Sequence, residues 1–421
     1  MKILIVGGGG REHALAEKIS QSPLTEKIYC APGNGGISQI ATCVDIQATD
    51  IESMVNFAVE EKIDLVVVAQ DDPLVLGMVD RLEERSVSAF GPNKAAAIIE
   101  GSKVFSKNLM KKYNIPTSKY EVFDNLENAT EYLKNSDYPI VIKAEGLAYG
   151  KGVIIAESFD EAKGALGDIM EKRIFKSAGE RVVIEQFLSG KEVSVLAFTD
   201  GKTIVPMVSA QDHKKLYDGD KGLNTGGMGA FSPSDAYTKE TAAYCMEKIF
   251  LPTMNAMNSE GRKFKGVLYF GLIITETGVY VIEYNCRFGD PEAQVVLPRL
   301  KSDIIEIIKA IMNERLCDIK IEWSDKAAAC VIMASEGYPK QYRVNYKIDG
   351  MDKALSHDGV SIYHSGTKKI KDDFYTNGGR VLGITATGDT MGEAVDKAYN
   401  AVAEISFEGA YHRTDIGKNT A

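Results

Sequence analysis

Several features of exported and membrane proteins are missing from this chain. No apolar run reaches the roughly 18 to 20 residues that cross a bilayer. The apolar stretch within 1–7 spans only about five residues, which is shorter than the core of a signal peptide and predicts a buried strand. None of the six cysteines forms a Cys-x-x-Cys pair. Scattered thiols without an export signal are typical of a reducing compartment, so we expect a cytoplasmic protein.

A surplus of positive charge is missing as well. The chain has 49 Lys and Arg against 59 Asp and Glu, for a formal net charge of −10. This balance argues against general binding of nucleic acid or of an anionic membrane. The five histidines lack His-x-x-x-His or His-x-His spacing, and there is no Gly-x-Ser-x-Gly motif. We therefore expect neither a histidine-rich zinc site nor a serine hydrolase.

What is present is the composition of a globular protein with several packed domains. The 421 residues are 44% hydrophobic and 26% charged, which is ordinary for a globular chain but long for one core. Over the first hundred residues, strand-like runs such as 3–6 and 65–69 alternate with helical segments such as 51–59. This alternation predicts an α/β protein with a parallel, doubly wound sheet at its N-terminus.

A glycine-rich loop at 7–13 follows the first predicted strand and opens a helix. Such a loop lets backbone N–H groups approach a phosphate at the helix N-terminus. Dinucleotide binding would need a third glycine where Glu12 stands, so an NAD-dependent oxidoreductase is the weaker interpretation. Another phosphate, or a tight turn without a ligand, remains open. The candidate phosphate contacts are Gly9, Gly10, Arg11, Asn34 and Gly36.

A second glycine loop lies between two predicted strands. Lys143 stands on the first strand, where its charge can meet a phosphate, and the loop contains Gly146, Gly150, Lys151 and Gly152. Closure of such a loop would exclude water from a transferring phosphoryl group. It is not a Walker A motif, because no Ser or Thr follows Lys151. A hairpin with solvated lysines is the alternative.

Polar residues also follow a third predicted strand. Glu185, Gln186 and Leu188 lead into a short linker and then Glu192. A buried strand that ends this way suits an adenine base and its ribose hydroxyls. An ordinary strand end with exposed acids is the alternative.

The segment 281–294 is the most informative part of the chain. Glu283 and Asn285 are two apart on a predicted strand, so their side chains point to the same face. Their oxygens suit Mg²⁺, which needs few protein ligands besides phosphates and water. Arg287 continues that face and can neutralise a phosphoryl or acyl phosphate. Polar groups this dense beside an apolar strand are costly to bury without ligands.

A polar loop at 211–215 precedes a glycine turn at 225–229. Asp212 lies in the loop and Gly227 in the turn, and together they can sit over a bound substrate. His213 alone is more typical of a surface histidine.

The order of these motifs resembles the ATP-grasp superfamily. The likeness rests on Lys103, Lys143 with its loop, Glu185-x-x-Leu188, Glu192 and Glu283-x-Asn285. Within it, the run from Arg287 to Glu292, the turn 225–229 and the opening loop are similar to the phosphoribosylamine–glycine ligase family. The resemblance covers essentially the whole chain, including 378–382 and 413–417.

The resemblance implies an activity in purine biosynthesis. ATP, glycine and 5-phospho-β-D-ribosylamine would give glycinamide ribonucleotide, ADP and phosphate, with glycyl phosphate as the intermediate and Mg²⁺ or Mn²⁺ as the metal. The alternative is another ATP-grasp carboxylate–amine ligase or a carboxylase. The family further suggests a monomer that binds small molecules only.

The resemblance also implies roles for individual residues. Lys103 and Lys143 would contact ATP phosphates, residues 185–188 the adenine and Glu192 the ribose. Glu283 and Asn285 would hold the metal. Arg287 would steady the acyl phosphate, and the loop at 9–11 with 34–36 would hold the 5-phosphate. Asp212 and Asp290 would lie near glycine's ammonium or the attacking amine.

The architecture that the resemblance implies has three parts. We expect a Rossmann-like domain at 1–102, an ATP-grasp domain of two α+β subdomains at 103–323 with a mobile lid at about 120–190, and a small α+β domain at 324–421.

The sequence departs from the family pattern at two positions. Gly271 stands where many members carry an earlier acidic metal ligand. After the fourth strand, where Gly-Pro-Glu is expected, Asp72 is our candidate for the acid.

Overall fold

A computed structural model describes residues 1–148 and 152–418. The predicted site residues Gly150 and Lys151 lie outside these ranges. Among the described residues, no helix is both long and apolar enough to cross a membrane.

The strands and helices are numbered here in chain order. The strands are β1 (Lys2–Gly7), β2 (Lys27–Pro32), β3 (Thr42–Cys43), β4 (Leu65–Val68), β5 (Ala89–Phe90), β6 (Tyr120–Phe123), β7 (Ile140–Ala144), β8 (Val153–Ala156), β9 (Val182–Gln186), β10 (Lys191–Thr199), β11 (Ile204–Pro206), β12 (Gln211–Asp212), β13 (Lys215–Tyr217), β14 (Lys221–Asn224), β15 (Gly229–Ser232), β16 (Gly266–Thr275), β17 (Gly278–Asn285), β18 (Ala327–Ser335), β19 (Lys347–Ile348), β20 (Val360–His364), β21 (Thr367–Ile370), β22 (Asp373–Thr376), β23 (Arg380–Gly388) and β24 (Ala410–Tyr411). The α-helices are α1 (Gly10–Ser20), α2 (Ile51–Glu60), α3 (Asp71–Leu76), α4 (Met78–Glu84), α5 (Lys94–Gly101), α6 (Lys103–Lys112), α7 (Leu126–Lys134), α8 (Phe159–Leu166), α9 (Lys239–Cys245), α10 (Leu251–Ser259), α11 (Ala293–Val296), α12 (Ile304–Met312), α13 (Met351–Leu355) and α14 (Met391–Glu404). Short 3₁₀ or π turns cover Ile37–Gln39, Gly167–Glu171, Lys176–Gly179, Met246–Phe250, Leu297–Arg299 and Leu316–Asp318.

The N-terminal sheet is parallel, with strand order β3-β2-β1-β4-β5. The apolar runs of β1 and β4 are buried along their length, because helices cover both faces of a doubly wound sheet. The predicted α/β class with a Rossmann-like N-terminal sheet is confirmed. The carboxyl ends of β1 and β2 carry the glycine loops that border the site.

The region 93–113 forms two helices, α5 and α6, with a break between them at Ser102. Ser102 is extended, with φ −138° and ψ 111°, and its hydroxyl accepts a hydrogen bond from the Phe105 N–H at 3.1 Å. The same hydroxyl donates to Glu145 at 2.9 Å. This break starts a new helix at Lys103 and brings that lysine to the lid sheet.

Two antiparallel sheets follow. The lid sheet has order β6-β9-β7-β8, and α7 and α8 complete its separate hydrophobic core. The central sheet has order β11-β10-β16-β17. Its apolar face shares a core with the N-terminal sheet, since Leu4 and Val6 belong to the same buried cluster as Val195 and Phe270. The N-terminal and central sheets are therefore packed together, and a cleft separates them from the lid sheet.

A third antiparallel sheet has order β12-β15-β18-β23-β20, with β24 also paired to β18. Its strands come from both sides of the predicted boundary near residue 323, so the C-terminal part of the chain is joined to the central part through main-chain hydrogen bonds. A small sheet, β19-β22-β21, and helix α14 lie beyond it. Because of this shared sheet, C-terminal residues reach the site.

Candidate active site

A cavity of about 720 Å³ opens between α6, the lid sheet and the central sheet. Many of the predicted site residues lie together on its wall. These are Arg11, Lys103, Lys143, Gly152, Glu185, Glu192, Asp212, Glu283, Asn285, Arg287 and Asp290. We call this space the charged cavity.

Other predicted residues do not line the charged cavity. Gln186 is exposed at the end of β9, and Leu188 is half-buried in the linker that follows. Gly146 contributes its carbonyl, which accepts a hydrogen bond from the Lys103 ammonium at 2.9 Å. Gly227 is turned under Pro291, where an added Cβ would come within 2.4 Å of the proline ring.

Glu185 is buried at the wall of the charged cavity, where it lies between two lysines. Its carboxylate lies 2.8 Å from Lys107 Nζ and 3.0 Å from Lys143 Nζ. Burial opposes ionisation of Glu185, yet the two ammonium groups hold its pKa below the usual value. The side chain therefore serves as the counter-ion that holds Lys143 at the cavity. Adenine contact by residues 185–188 remains a prediction.

The two predicted metal ligands lie on β17 and face the charged cavity. Lys214 Nζ is 3.2 Å from Glu283 Oε1, and it is the main reason that the pKa of Glu283 is lowered to about 2. The Asn285 side-chain oxygen accepts a hydrogen bond from Arg287 at 3.3 Å. Among residues 1–148 and 152–418, no group of three or more His, Cys, Asp or Glu side chains could hold a metal ion.

A site with two protein oxygens still fits Mg²⁺ or Mn²⁺, because phosphates and water complete the shell of such ions. Gly271 pairs with Glu283 across the central sheet. A Cβ at Gly271 would lie 3.0 Å from Glu283 Cγ, so a side chain there would require the Glu283 side chain to shift by a few tenths of an ångström.

Arg287 is held by acids from the N-terminal region. Its guanidinium lies 2.9 Å from Glu100 and 3.9 Å from Asp71. Glu100 is buried, which raises its pKa, and it also accepts the Cys286 N–H at 2.7 Å. Asp71 lines the charged cavity and Asp72 does not. Asp72 as the acid of this loop stays a prediction.

A buried acidic pocket forms one side of the charged cavity. The Tyr269 hydroxyl lies 2.7 Å from Ser194 Oγ and donates to Glu292 at 2.9 Å. Burial raises the pKa of Asp212 to about 6, and Glu292 adds to the shift while Lys214 opposes it. Carboxylates and hydroxyls gathered in this way suit an ammonium group.

A second cavity of about 400 Å³ lies at the glycine loops. It is lined by Gly8, Gly9, Pro32, Gly33, Gln47, Ala48, Gln70, Asp290, Ser365, Gly366 and Arg380. We call it the glycine-loop cavity. Glu12 accepts the Gly9 N–H at 2.6 Å and binds Arg11 Nε at 2.6 Å. Arg11 is thus turned away from this cavity, and its predicted contact with a phosphate here is not supported.

Three of the predicted phosphate contacts pack the glycine loops against later segments of the chain. They are Asn34, Gly36 and Gly10. The Asn34 amide donates to the carbonyls of Gly8 and His364 at 2.9 and 2.7 Å, and its oxygen accepts the Gly36 N–H at 2.9 Å. An added Cβ at Gly36 would lie 2.3 Å from the His364 ring, and one at Gly10 2.5 Å from Gln294. None of the three lines either cavity. These contacts hold the loops together, and contact of the three residues with a phosphate stays a prediction.

One ion pair lies between the two cavities. Arg380 Nη1 is 3.1 Å from Asp290 Oδ1, and both residues line both cavities. Burial would raise the pKa of Asp290, but Arg380 and Arg11 hold it below the usual value. Arg380 also donates to the Gly226 carbonyl at 2.7 Å. The two spaces therefore meet at a charged pair contributed by the central and C-terminal parts of the chain.

Comparison with known protein families divides the chain into three successive domains. Residues 1–100 match the phosphoribosylglycinamide synthetase N domain, 101–293 its ATP-grasp (A) domain and 328–419 its C domain. The chain belongs to the phosphoribosylglycinamide synthetase family. The ATP-grasp fold that the sequence predicted is thereby confirmed.

Individual relatives agree with this family. The chain is 49% identical to a phosphoribosylamine–glycine ligase from Caldanaerobacter subterraneus subsp. tengcongensis, over 99% of both chains. A crystal structure of phosphoribosylamine–glycine ligase from Thermotoga maritima superimposes with a TM-score of 0.86 at 31% identity, covering 99% of this chain and 100% of that one. The biotin carboxylase domain of a Hydrogenobacter thermophilus 2-oxoglutarate carboxylase, solved with MgADP and bicarbonate, shares the fold at 16% identity and a TM-score of 0.73, covering 98% and 91% of the two chains.

Several residues at the site of this synthetase family member were missed by sequence reasoning. Lys107 follows Lys103 by four positions, so helical spacing places both on one face. Glu292 ends the run that begins at Arg287. No local signal identifies Tyr269 or Arg380 as facing the cavities, because their neighbours are distant in the sequence.

Proposed function

We propose that this chain joins glycine to 5-phospho-β-D-ribosylamine at the expense of ATP. In the first step, a glycine carboxylate oxygen attacks the γ-phosphorus of ATP, ADP leaves and glycyl phosphate forms. In the second step, the ribosylamine nitrogen attacks the acyl carbon, phosphate leaves and the nitrogen loses a proton. The products are glycinamide ribonucleotide, ADP and phosphate, and the protein forms no covalent adduct.

The observation that carries this proposal is the contact between the two cavities at Asp290 and Arg380. The charged cavity offers lysines for phosphates, two oxygens for a metal and an acidic pocket for an ammonium. The glycine-loop cavity offers backbone and small side chains to a sugar phosphate. An intermediate made in one space can therefore meet an amine held in the other.

In the first step, the chain's own residues position and neutralise charge. Lys103 is held by the Gly146 carbonyl and Lys143 by Glu185, so both ammonium groups are fixed before a nucleotide binds. Glu283 and Asn285 would hold Mg²⁺ or Mn²⁺, which when bound neutralises phosphate oxygens. Arg287, oriented by Glu100, would meet the acyl phosphate. Preorganised charges of this kind stabilise the transition state without rearrangement.

In the second step, the two substrates must be oriented toward each other. Asp212 with Glu292 would bind glycine's ammonium, which keeps the carboxyl end directed toward the phosphates. Asp290 would accept a hydrogen bond from the ribosylamine nitrogen and so aim its lone pair at the acyl carbon. Orientation of two bound reactants can supply roughly 7 to 11 kcal/mol.

A three-substrate omission assay tests this function. Purified protein with MgATP, glycine and ribosylamine should release phosphate at a steady rate, and omission of any one component should abolish it. Phosphate release without glycine would contradict the proposal. Replacing glycine with bicarbonate or formate tests the carboxylase and other ATP-grasp alternatives, and the proposal expects no product from either.

An oxidoreductase function has less support in the structure. The Gly9 N–H that would bind a dinucleotide phosphate is hydrogen-bonded to Glu12. NADH fluorescence should therefore be unchanged by the protein. The monomeric state, the cytoplasmic location, the absence of nucleic-acid partners and the boundaries at 102 and 323 stay predictions.

A further inference from the structure

A fully buried arginine near the C-terminus contacts a hairpin at the charged cavity. The Arg413 side chain is 0% exposed. Its Nε and Nη2 each lie 2.7 Å from a carboxylate oxygen of Asp415, in a two-point pair. Its Nη1 donates to Asp220 at 2.8 Å and to the Lys215 carbonyl at 3.0 Å. Two of these contacts are to the β13–β14 hairpin, nearly two hundred residues earlier in the chain.

The residues around Arg413 bind the same hairpin. The Gly219 N–H donates to Asp415 at 2.8 Å, and the Thr414 N–H donates to Asp218 at 2.8 Å. The Tyr411 hydroxyl donates to the Leu216 carbonyl at 3.0 Å. A two-stranded hairpin has little stability of its own, so these contacts determine where it lies.

The hairpin faces the charged cavity and reaches the lid sheet. Asp220 and Asn224 line the cavity, and Asn224 donates to the Val153 carbonyl at 3.3 Å, at the start of β8. Besides Arg413, the Asp220 carboxylate also approaches His213. The distance from Asp220 Oδ1 to His213 Nδ1 is 3.6 Å. His213 also lines the cavity, and its Nε2 is buried without a hydrogen-bond partner. A buried nitrogen without a partner beside a cavity is available to a ligand.

We infer that Arg413 is a positioning residue, which acts through Asp220 to hold the hairpin and His213 in place at the charged cavity. The inference rests on the proposed function for the reaction that it affects. Arginine suits this role because its planar group can bind Asp415 at two points and still donate to Asp220, whereas lysine has a single ammonium. His213 was expected to be a surface histidine, and its contact with substrate through Nε2 is part of the inference.

Substitution at both ends of the Arg413–Asp220 contact tests the inference. We expect Arg413→Lys and Asp220→Asn each to lower kcat/KM for glycine at least about tenfold, as loss of positioning does. The double variant should lose no more than the worse single variant, because the two residues act as one unit. Hydrogen exchange of the peptide 213–224, measured without substrates, should be faster in each variant. Asp220 is 66% exposed, so Asp220→Asn is expected to fold even if Arg413→Lys does not.

Tyr399→Phe is the matched control. Its hydroxyl donates to the Arg413 carbonyl and accepts the Ile416 N–H, both at 2.9 Å, and neither of these bonds is to the hairpin. This variant should lower Tm while leaving kcat/KM and the exchange of 213–224 as in the wild type. Wild-type kcat/KM in Asp220→Asn, additive losses in the double variant, or unchanged exchange would overturn the inference. Because exchange needs no substrate, it still decides the matter if the proposed reaction is not found.

Discussion

The charged cavity and the glycine-loop cavity differ in the groups that line their walls and can contact a ligand. In the charged cavity, side chains such as Lys103, Lys143 and Glu283 face the open space, and their charges are held by partners from other elements. In the glycine-loop cavity, the charged residues on the wall are Asp290 and Arg380, which bind each other. The rest of that wall is backbone and small or neutral side chains.

This difference indicates two modes of recognition in one protein. Charges that are already positioned suit a nucleotide whose phosphoryl group must be transferred, since they stabilise the charge that develops. A wall of glycines suits a group that must be approached closely by the main chain. Substitutions in the first space should therefore affect chemistry, and those in the second should affect the fit of one substrate.

The largest effect is expected from Glu283→Ala. This change removes the carboxylate assigned to the metal, and we expect kcat to fall about 10³-fold, the scale on which loss of one preorganised charge contact is felt. The fold should be retained, because Glu283 pairs with Lys214 at the cavity and not with the core. Steady-state kinetics over a range of Mg²⁺ concentrations measures the loss. Glu276→Ala, in the exposed turn of the same β16–β17 hairpin, is the control. Near-normal turnover in Glu283→Ala would remove the metal assignment.

A smaller and more selective effect is expected from Gly8→Ala. An added Cβ would lie 2.4 Å from the Gly33 carbonyl oxygen, so the two glycine loops would have to separate. We expect KM for ribosylamine to rise about tenfold, with binding of ATP to the charged cavity unchanged, since the loss concerns one substrate. Gly164→Ala is the matched control, because nothing lies within 4 Å of its added Cβ. Equal losses for both substrates would contradict a division of labour between the cavities.

The smallest effect is expected in how the free energy of unfolding depends on pH, through two buried histidines near the glycine-loop cavity. His13 Nδ1 accepts the His364 N–H at 2.8 Å, and burial, with His364 adding, lowers the pKa of His13 to about 3. Burial lowers the pKa of His364 to about 4. An unfolded histidine takes up its proton near pH 6.5, so the unfolded state binds more protons and stability falls as pH drops from about 6.5 to 4.

His13→Gln should reduce this pH dependence. We expect the slope of unfolding free energy against pH between 6 and 4.5 to shrink by up to ~1.4 kcal/mol per pH unit, which corresponds to one proton. Urea denaturation at several pH values measures it, and His357→Gln controls for removal of a histidine elsewhere. An unchanged slope in His13→Gln would show that this pair does not titrate as its burial implies.

The difference between the cavities also explains what the sequence could predict. The β-strand runs and the helical stripe at 51–59 were visible because periodicity is local. Glu283 and Asn285 were placed at a cavity by their spacing of two on a strand. Side chains that face a ligand leave such local patterns, so the charged cavity was largely predictable.

The remaining features depend on contacts between distant parts of the chain. The sequence does not show that Glu12 takes the Gly9 N–H, or that Asn34 binds the His364 carbonyl. Pairs such as Asp290 with Arg380 join residues that are 90 positions apart. Without the fold, a residue that holds a loop cannot be distinguished from one that holds a phosphate. That Asn34 and Gly36 hold loops together could not be predicted from the sequence for this reason.

The proposed reaction depends most on transfer of the terminal phosphoryl group of ATP to glycine's carboxylate. Glycine labelled with ¹⁸O in both carboxylate oxygens, incubated with MgATP, ribosylamine and the protein, tests this directly by mass spectrometry of the products. We expect one labelled oxygen in the released phosphate and the other in the amide of the product. Released phosphate without ¹⁸O, in the presence of the ligated product, would contradict the glycyl phosphate intermediate.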